Sequence, residues 1–338
     1  MPIRSRRCGP PDAQRVGPPV TSSVDSPACT PSTLSEPGYG APMLPALALI
    51  GSAGKRRSIL ELATEADQRG LAGLAVPGTG CMAMCASLAH VTSTIPIWTS
   101  IQPIYLSHPR EVAAQAAHIH EISDGRFRLG LGVSHESMLN RMGVSAGKPL
   151  ADTRQFVEDV RKSERGAEVL PPILLAALRD KMLDLAVEIA AGALWANASL
   201  SYTPSQIARL STDRPASFSL ATMVPTVVDD DLDAARAVHR RTLAFYIGLP
   251  NYRNYWRAAG YEEEMTAIET ALAADDRDAA TAAMTDKWVD DCTISGAPSA
   301  VRERFDAWHA IGVTPIAVMS STSGGQAKAI RELFDVYG

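Results

Sequence analysis

Residues 108–135 read HPREVAAQAAHIHEISDGRFRLGLGVSH, and their pattern decides the fold. Pro109 suits a first helical position, and Glu111 follows where the helix dipole favours an acid. Val112, Ala113, Ala116, Ala117, Ile119 and Ile122 recur at helical spacing and make one broad apolar side. Ser123, Asp124 and Gly125 stop the helix, with Gly125 a natural left-handed residue past its end. Phe127–Val133 is apolar except for Arg128, and Gly130 and Gly132 argue against helix. A short apolar run entered from a turn reads as a buried parallel strand. Ser134, His135 and Glu136 form a polar cluster at its C-terminal end. In an α/β barrel that end is where chemistry takes place.

The same alternation extends outward in both directions. Strands are expected at Leu44–Gly51, Leu71–Val76, Ile95–Tyr105, Pro172–Ala177, Ala193–Asn197, Ser217–Val227 and Val313–Met319. Helices are expected at Ser58–Arg69, Gly80–Val91, Pro149–Lys162, Asp180–Ala190, Pro204–Leu210 and Gln326–Val336. With the opening stretch this makes about eight strand–helix units, the pattern of a (β/α)8 TIM barrel. A helical stretch from Asp230 to Val289 precedes strand eight. It reads as an insertion that covers the barrel or forms a homodimer surface.

Composition bounds the rest. The chain has 338 residues, 46% hydrophobic and 20% charged, which suits a globular enzyme. A formal net charge of −5 does not favour a nucleic-acid surface. No apolar run approaches the ~18 residues of a membrane span. Residues 1–42 hold nine of the 23 prolines and almost no apolar pattern, so they are expected to be a disordered tail. The barrel domain is then residues 43–338. Arg4, Arg6 and Arg7 lack a following hydrophobic stretch, which argues against a secretory signal and for the cytoplasm.

The chemistry-bearing candidates are few. Five cysteines make no disulfide framework, and Cys81 and Cys85, four apart on a helix, read as buried thiols. His118 and His120 sit two apart on a helix and so do not share a face. No metal site is expected. Neither dinucleotide motif, P-loop nor nucleophile elbow is present. Ser134 and His135 are the best-placed polar pair, since His exchanges protons near neutral pH. Ser100 and Ile101, in WTSIQP, read on residue type alone as core. Tyr252 and Tyr255 read either as core aromatics or as the wall of a flat-ring pocket.

Four stretches together resemble the luciferase-like flavin and deazaflavin oxidoreductases, especially their coenzyme F420 branch. They are TSTIPIWTSIQPIYLSHP (92–109), EISDGRFRLGLGVSH (121–135), PPILLAALRDKMLDLA (171–186) and LPNYRNYWRAAGY (249–261). The resemblance implies a barrel that binds FMN or the deazaflavin at its C-terminal mouth. It implies a cis non-proline peptide at Ser100–Ile101 against the ring, with Gly132, Val133, Ser134 and His135 beside it. Ala176, Ala177 and Arg179 would approach the phosphate side. His135 would bind near the reacting face or relay a proton.

The implied reaction is hydride transfer between coenzyme F420 and a small organic molecule. Two alternatives stand beside it. One is an FMN-dependent monooxygenase using oxygen and a separate reductase; the other is a degenerate barrel with a binding or assembly role. The chain departs from the family pattern in three places. Arg179–Asp180 stands where Gly-Pro is common, Ala190–Ala191–Gly192 where Ala-Asp-Gly is common, and the segment before Pro171 is short.

Overall fold

The computed structural model describes residues 43–164, 169–210 and 214–338; the tail expected at 1–42 lies outside them. Ten strands occur among these residues: β1 (Ala46–Ala48), β2 (Leu74–Val76), β3 (Ile97–Thr99), β4 (Gln102–Pro103), β5 (Phe127–Gly132), β6 (Ile173–Ala176), β7 (Gly192–Ala196), β8 (Ser219–Val228), β9 (Ile294–Gly296) and β10 (Thr314–Met319). All pair in parallel, in the order β1-β2-β3-β5-β6-β7-β8, and β10 pairs with both β8 and β1. The sheet therefore closes on itself. The expected eight-stranded TIM barrel is the observed one.

Strand three differs from its expectation. The run Ile95–Tyr105 reads as one strand, but the sheet breaks into β3 and β4 and ends in a 3-10 turn at Ile104–Leu106. β3 pairs with β5 through Ile97 and Trp98, and β4 resumes the pairing at Leu131 and Gly132. Three further elements are absent from the sequence expectation, the first being the short helix Glu136–Arg141 after β5. The helix Pro298–Ala310 packs on β10, and β9 adds to the end of β8. The stretch after β8 is thus not one insertion but several short helices from Leu232 to Cys292, then β9 and an ordinary barrel helix.

Burial follows the two periods. Alternate strand residues Ala46, Ala48, Ala75, Trp98, Leu174, Leu194, Ala221 and Ile316 pack together as one cluster inside the ring. The residues between them, such as Leu47, Leu74, Ile97, Phe127, Leu129 and Leu175, join the larger layer under the helices. A barrel interior filled by side chains is a packed core, which leaves the strand ends as the place for a cavity.

The opening stretch shows how a local sequence sets this frame. The helix Pro109–Ile122 starts with His108, whose Nδ1 accepts from the Arg110 N–H. It ends in two left-handed residues rather than one, Asp124 at φ 52° and Gly125 at φ 80°. The Gly125 N–H then closes onto the His120 carbonyl at 2.9 Å. Arg126 follows, and its guanidinium donates to Thr92 Oγ1 and to the carbonyls of Ala89, Thr92, Ile95 and Ser123. One planar fork therefore ties the end of helix Cys81–Val91 to the entry of β3. Asp67 holds the same loop from the other side, accepting from the backbone N–H groups of Ser93, Thr94 and Ile95.

Candidate active site

A cavity of about 1560 Å³ opens where β3, β4, β5, β6 and β7 end. It exceeds the ~300–1,000 Å³ usual for one bound small molecule. Its walls include every site residue expected from the sequence except Gly132: Ser100, Ile101, Val133, Ser134, His135, Ala176, Ala177 and Arg179. Gly132 lies just beneath, where its missing side chain matters. A Cβ there would come 2.8 Å from Ala176 Cβ and 2.9 Å from Ile101 Cγ1. The glycine lets β4, β5 and β6 close up under the cavity floor.

The peptide between Ser100 and Ile101 is cis, at the position the family resemblance implies. Ser100 is buried, and its N–H donates to the Val76 carbonyl at 2.8 Å. Its Oγ has no partner among the described residues, although the residue lines the cavity. Ser137 Oγ, also in the lining, is buried and unpartnered too. Buried hydroxyls normally find a partner, so such orphans at a cavity wall suit a bound molecule's polar atoms. Behind the bulge, Gln102 accepts from the Cys81 thiol at 3.2 Å and donates to Ser107 Oγ at 3.0 Å.

Two non-glycine residues at strand ends take left-handed backbone, Ser134 after β5 (φ 62°) and Asn197 after β7 (φ 53°). Asn tolerates this conformation and Ser does so rarely. Conformations of this kind persist where the surroundings enforce them, often at sites of function. The turn at Ser134 delivers His135 to the first residue before the helix Glu136–Arg141, whose N–H groups at Met138 and Leu139 bond to the His135 carbonyl.

The His135 ring is half-buried and stands edge-on to three others. Its centroid lies 5.5 Å from Phe245, 5.9 Å from Tyr246 and 5.8 Å from Tyr252. Burial lowers its pKa below the ordinary 6.5, and no charged neighbour contributes. The imidazole is therefore neutral at pH 7, with one nitrogen free to accept a proton. Tyr252 and Tyr255 satisfy both of their sequence readings: each is buried and each lines the cavity.

The aromatic wall comes from the stretch after β8 and is fixed to the barrel by polar contacts. Trp256 Nε1 donates to the Asn197 carbonyl at 3.2 Å, and the Tyr255 hydroxyl accepts from the Ser199 N–H at 3.0 Å. Asp291 accepts from Ser201 N–H, Ser201 Oγ and the Tyr261 hydroxyl at 2.8–2.9 Å, and from Ser199 Oγ. The loop after β7 thereby carries the wall above the mouth.

Arg179, exposed, lines the cavity from the start of the helix Asp180–Ile189. Lys148 and Lys181 also reach the lining. Elsewhere the plainer readings hold. His118 is exposed, and His120 donates through Nδ1 to the Phe127 carbonyl at 3.1 Å. Cys81 and Cys85 are buried free thiols, the first pushed up to about 12 by burial. No metal-binding group of side chains occurs among the described residues, and no helix among them is long and apolar enough to cross a membrane. Sequence reasoning missed Phe245, Tyr246 and Ser137. The first two stand in AFYIGLPNYRNYW, just upstream of the quoted aromatic stretch, so extending that run would have found them.

Comparison with known proteins adds three findings. Residues 42–315 match the model of a family described as luciferase-like monooxygenase. A 5,10-methylenetetrahydromethanopterin reductase of Archaeoglobus fulgidus is 28% identical over 279 residues, 73% of this chain and 83% of that protein. Two solved structures share the fold. The coenzyme F420-dependent tetrahydromethanopterin reductase of Methanopyrus kandleri has a TM-score of 0.66 at 21% identity, covering 87% of this chain and 97% of the other. An F420-dependent secondary alcohol dehydrogenase has 0.61 at 15%, covering 87% and 98%.

Proposed function

This chain belongs to the luciferase-like monooxygenase family, and we propose that within it the protein is a coenzyme F420-dependent oxidoreductase acting on a small organic molecule. The observation that carries the reading is a cavity of about 1560 Å³ at the strand ends, whose wall holds Ser100, with a buried hydroxyl that has no partner among the described residues. The names of its relatives support the same choice of cofactor.

The residues present fit such a group. Ser100 and Ile101 would back its ring, and Val133 and Ser134 would border the edge. Ala176 and Ala177 lead toward Arg179, whose guanidinium has no hydrogen bond or ion pair among the described residues and suits an acidic tail. When bound, the deazaflavin supplies hydride transfer. The protein's own work is to hold, orient and keep water away. His135, neutral and half-buried, accepts a proton from a substrate hydroxyl in the oxidative direction and returns it in the reverse.

Equilibrium titration under nitrogen, with coenzyme F420 and FMN in separate cells, tests the reading. Saturable binding of F420 and weak binding of FMN is expected. Tight FMN binding with oxygen uptake, and no F420 binding, would overturn it in favour of a monooxygenase.

A further inference from the structure

The cavity-wall residues Ser100 and Ile101 stand where the ladder with β5 is interrupted. Ile97 and Trp98 are paired with β5 before them, and Gln102 and Pro103 after them; the two between have no paired residue on that strand. Ser100 is tied back to β2 by its N–H on the Val76 carbonyl. Ile101 turns its side chain over Gly132 and packs with the inner cluster. Gln102 sends its carboxamide the other way, to Cys81 in the layer under the helices, and is only 7% exposed.

Both ends of that carboxamide are met. Its Oε1 accepts from the thiol of Cys81, the first residue of helix Cys81–Val91. Its Nε2 donates to Ser107 Oγ, just past the 3-10 turn and before helix Pro109–Ile122. Burial pushes the Cys81 thiol up to about 12, so it keeps the proton it donates. The same sulfur lies 4.0 Å from the Ile101 carbonyl oxygen. One side chain thus fastens the exit of the bulge to the approaches of two helices. Stability alone does not call for such a network, because apolar groups of the same shape can replace a satisfied polar pair at little cost. What a fully satisfied buried network supplies is a single fixed arrangement.

Resting on the reading of this cavity as the F420 site, we infer that Gln102 is a positioning residue whose hydrogen bonds to Cys81 and Ser107 set where Ile101 stands in the wall, and so how the cofactor's ring is seated. It acts through its neighbour: Ile101 lines the cavity, and Gln102 does not. The sheet holds the chain before and after the wall residues, and this side chain holds the step between them.

Two variants and their combination decide the matter. Gln102→Met keeps an unbranched side chain of similar length and removes both hydrogen bonds. Ser107→Ala removes one of them at a half-buried residue, and carries the test if the first variant fails to fold. Three quantities are read: the δ1-methyl resonance of Ile101 in the cofactor-free protein, the affinity for F420 by titration, and the visible absorbance band of bound F420. Both variants are expected to move the Ile101 resonance, and the combination to move it no further than Gln102→Met alone. F420 should bind about 3- to 10-fold more weakly to Gln102→Met, the scale of one net hydrogen bond, and its bound band should shift. Ser107→Ala should do the same to a smaller degree. A role in folding alone would lower the melting temperature and leave the bound band at its wild-type position. An unshifted band with wild-type affinity, or additive movements of Ile101 in the combined variant, would overturn the inference while F420 still binds. Coupled movements of Ile101 in a wild-type protein that binds no F420 would overturn the cofactor reading alone.

Discussion

Thr99 and Gly130 interlock across the β3–β5 boundary. Thr99 Oγ1 donates to the Gly130 carbonyl at 2.8 Å, and the Thr99 carbonyl oxygen lies 2.0 Å from where a Cβ on residue 130 would sit. The second contact is with backbone, which cannot swing aside. Gly130→Ala is therefore expected to force β3 and β5 apart and to destabilise the fold by about 1–3 kcal/mol or more. Gly248→Ala, where nothing lies within 4 Å, serves as the comparison and should melt close to wild type. Equal melting temperatures for the two variants would refute this account of the LGLG run.

Ser100→Ala separates a binding role from a structural one. The hydroxyl has no partner among the described residues, so its loss should leave thermal stability unchanged or slightly raised. If it bonds the bound cofactor, the variant loses about 0.5–1.5 kcal/mol of affinity, roughly 2- to 12-fold in Kd. The outcome that contradicts the placement is unaltered F420 affinity by titration.

His135→Ala should lower kcat by about 10²-fold or more, the scale of general acid–base help, while the barrel stays folded. The pH profile of the wild type carries a second check. Burial favours the neutral ring, so the acid limb of kcat/KM should fall below pH 6.5 rather than above it. Undiminished turnover in the variant would remove His135 from the mechanism.

His239 gives the fold its own pH dependence. It is fully buried, donates through Nε2 to the Ile294 carbonyl at 3.1 Å, and leaves Nδ1 without a partner among the described residues. Burial lowers its pKa to about 4, against the partial opposition of the Ile294 bond and Asp290. The unfolded chain, near 6.5, binds the proton more readily than the folded one. The stabilisation is thus whole above pH 6.5 and is lost as the pH falls toward 4, by about 3 kcal/mol for this group. Denaturant midpoints measured between pH 7 and 4 should drop more steeply for wild type than for His239→Leu. Parallel curves would show that the group does not titrate on unfolding.

Sequence pattern carried most of the architecture into view, because the barrel strands are short apolar runs buried on both faces and most helices bury one face at helical spacing. The break at Ser100–Ile101 did not register that way. By residue type the two are core, and only the likeness to a family placed a bulge there. Pro298–Ala310 was legible as well, since Val301, Phe305 and Trp308 recur at i, i+4 and i+7 after a proline suited to a helix start. Arg126 carries five hydrogen bonds, yet nothing in its neighbours' types announces that; its acceptors are mostly backbone carbonyls far off in sequence. His135 was legible from its place at a strand end. Its ring partners were legible as an aromatic run, Tyr252 directly and Phe245 and Tyr246 just upstream, but their contact with His135 arises only by tertiary docking from beyond β8.

That docking has a consequence for how the molecule can change over evolutionary time. The bulge and the glycine floor are welded into the sheet, where one added methyl group disturbs two strands at once. The aromatic wall joins the barrel through packing and through hydrogen bonds to the single loop of Asn197, Ser199 and Ser201, outside the ladder of the sheet. Selection can therefore rewrite the wall while the floor stays fixed. A lineage built on this plan can trade one substrate for another without reinventing the reaction.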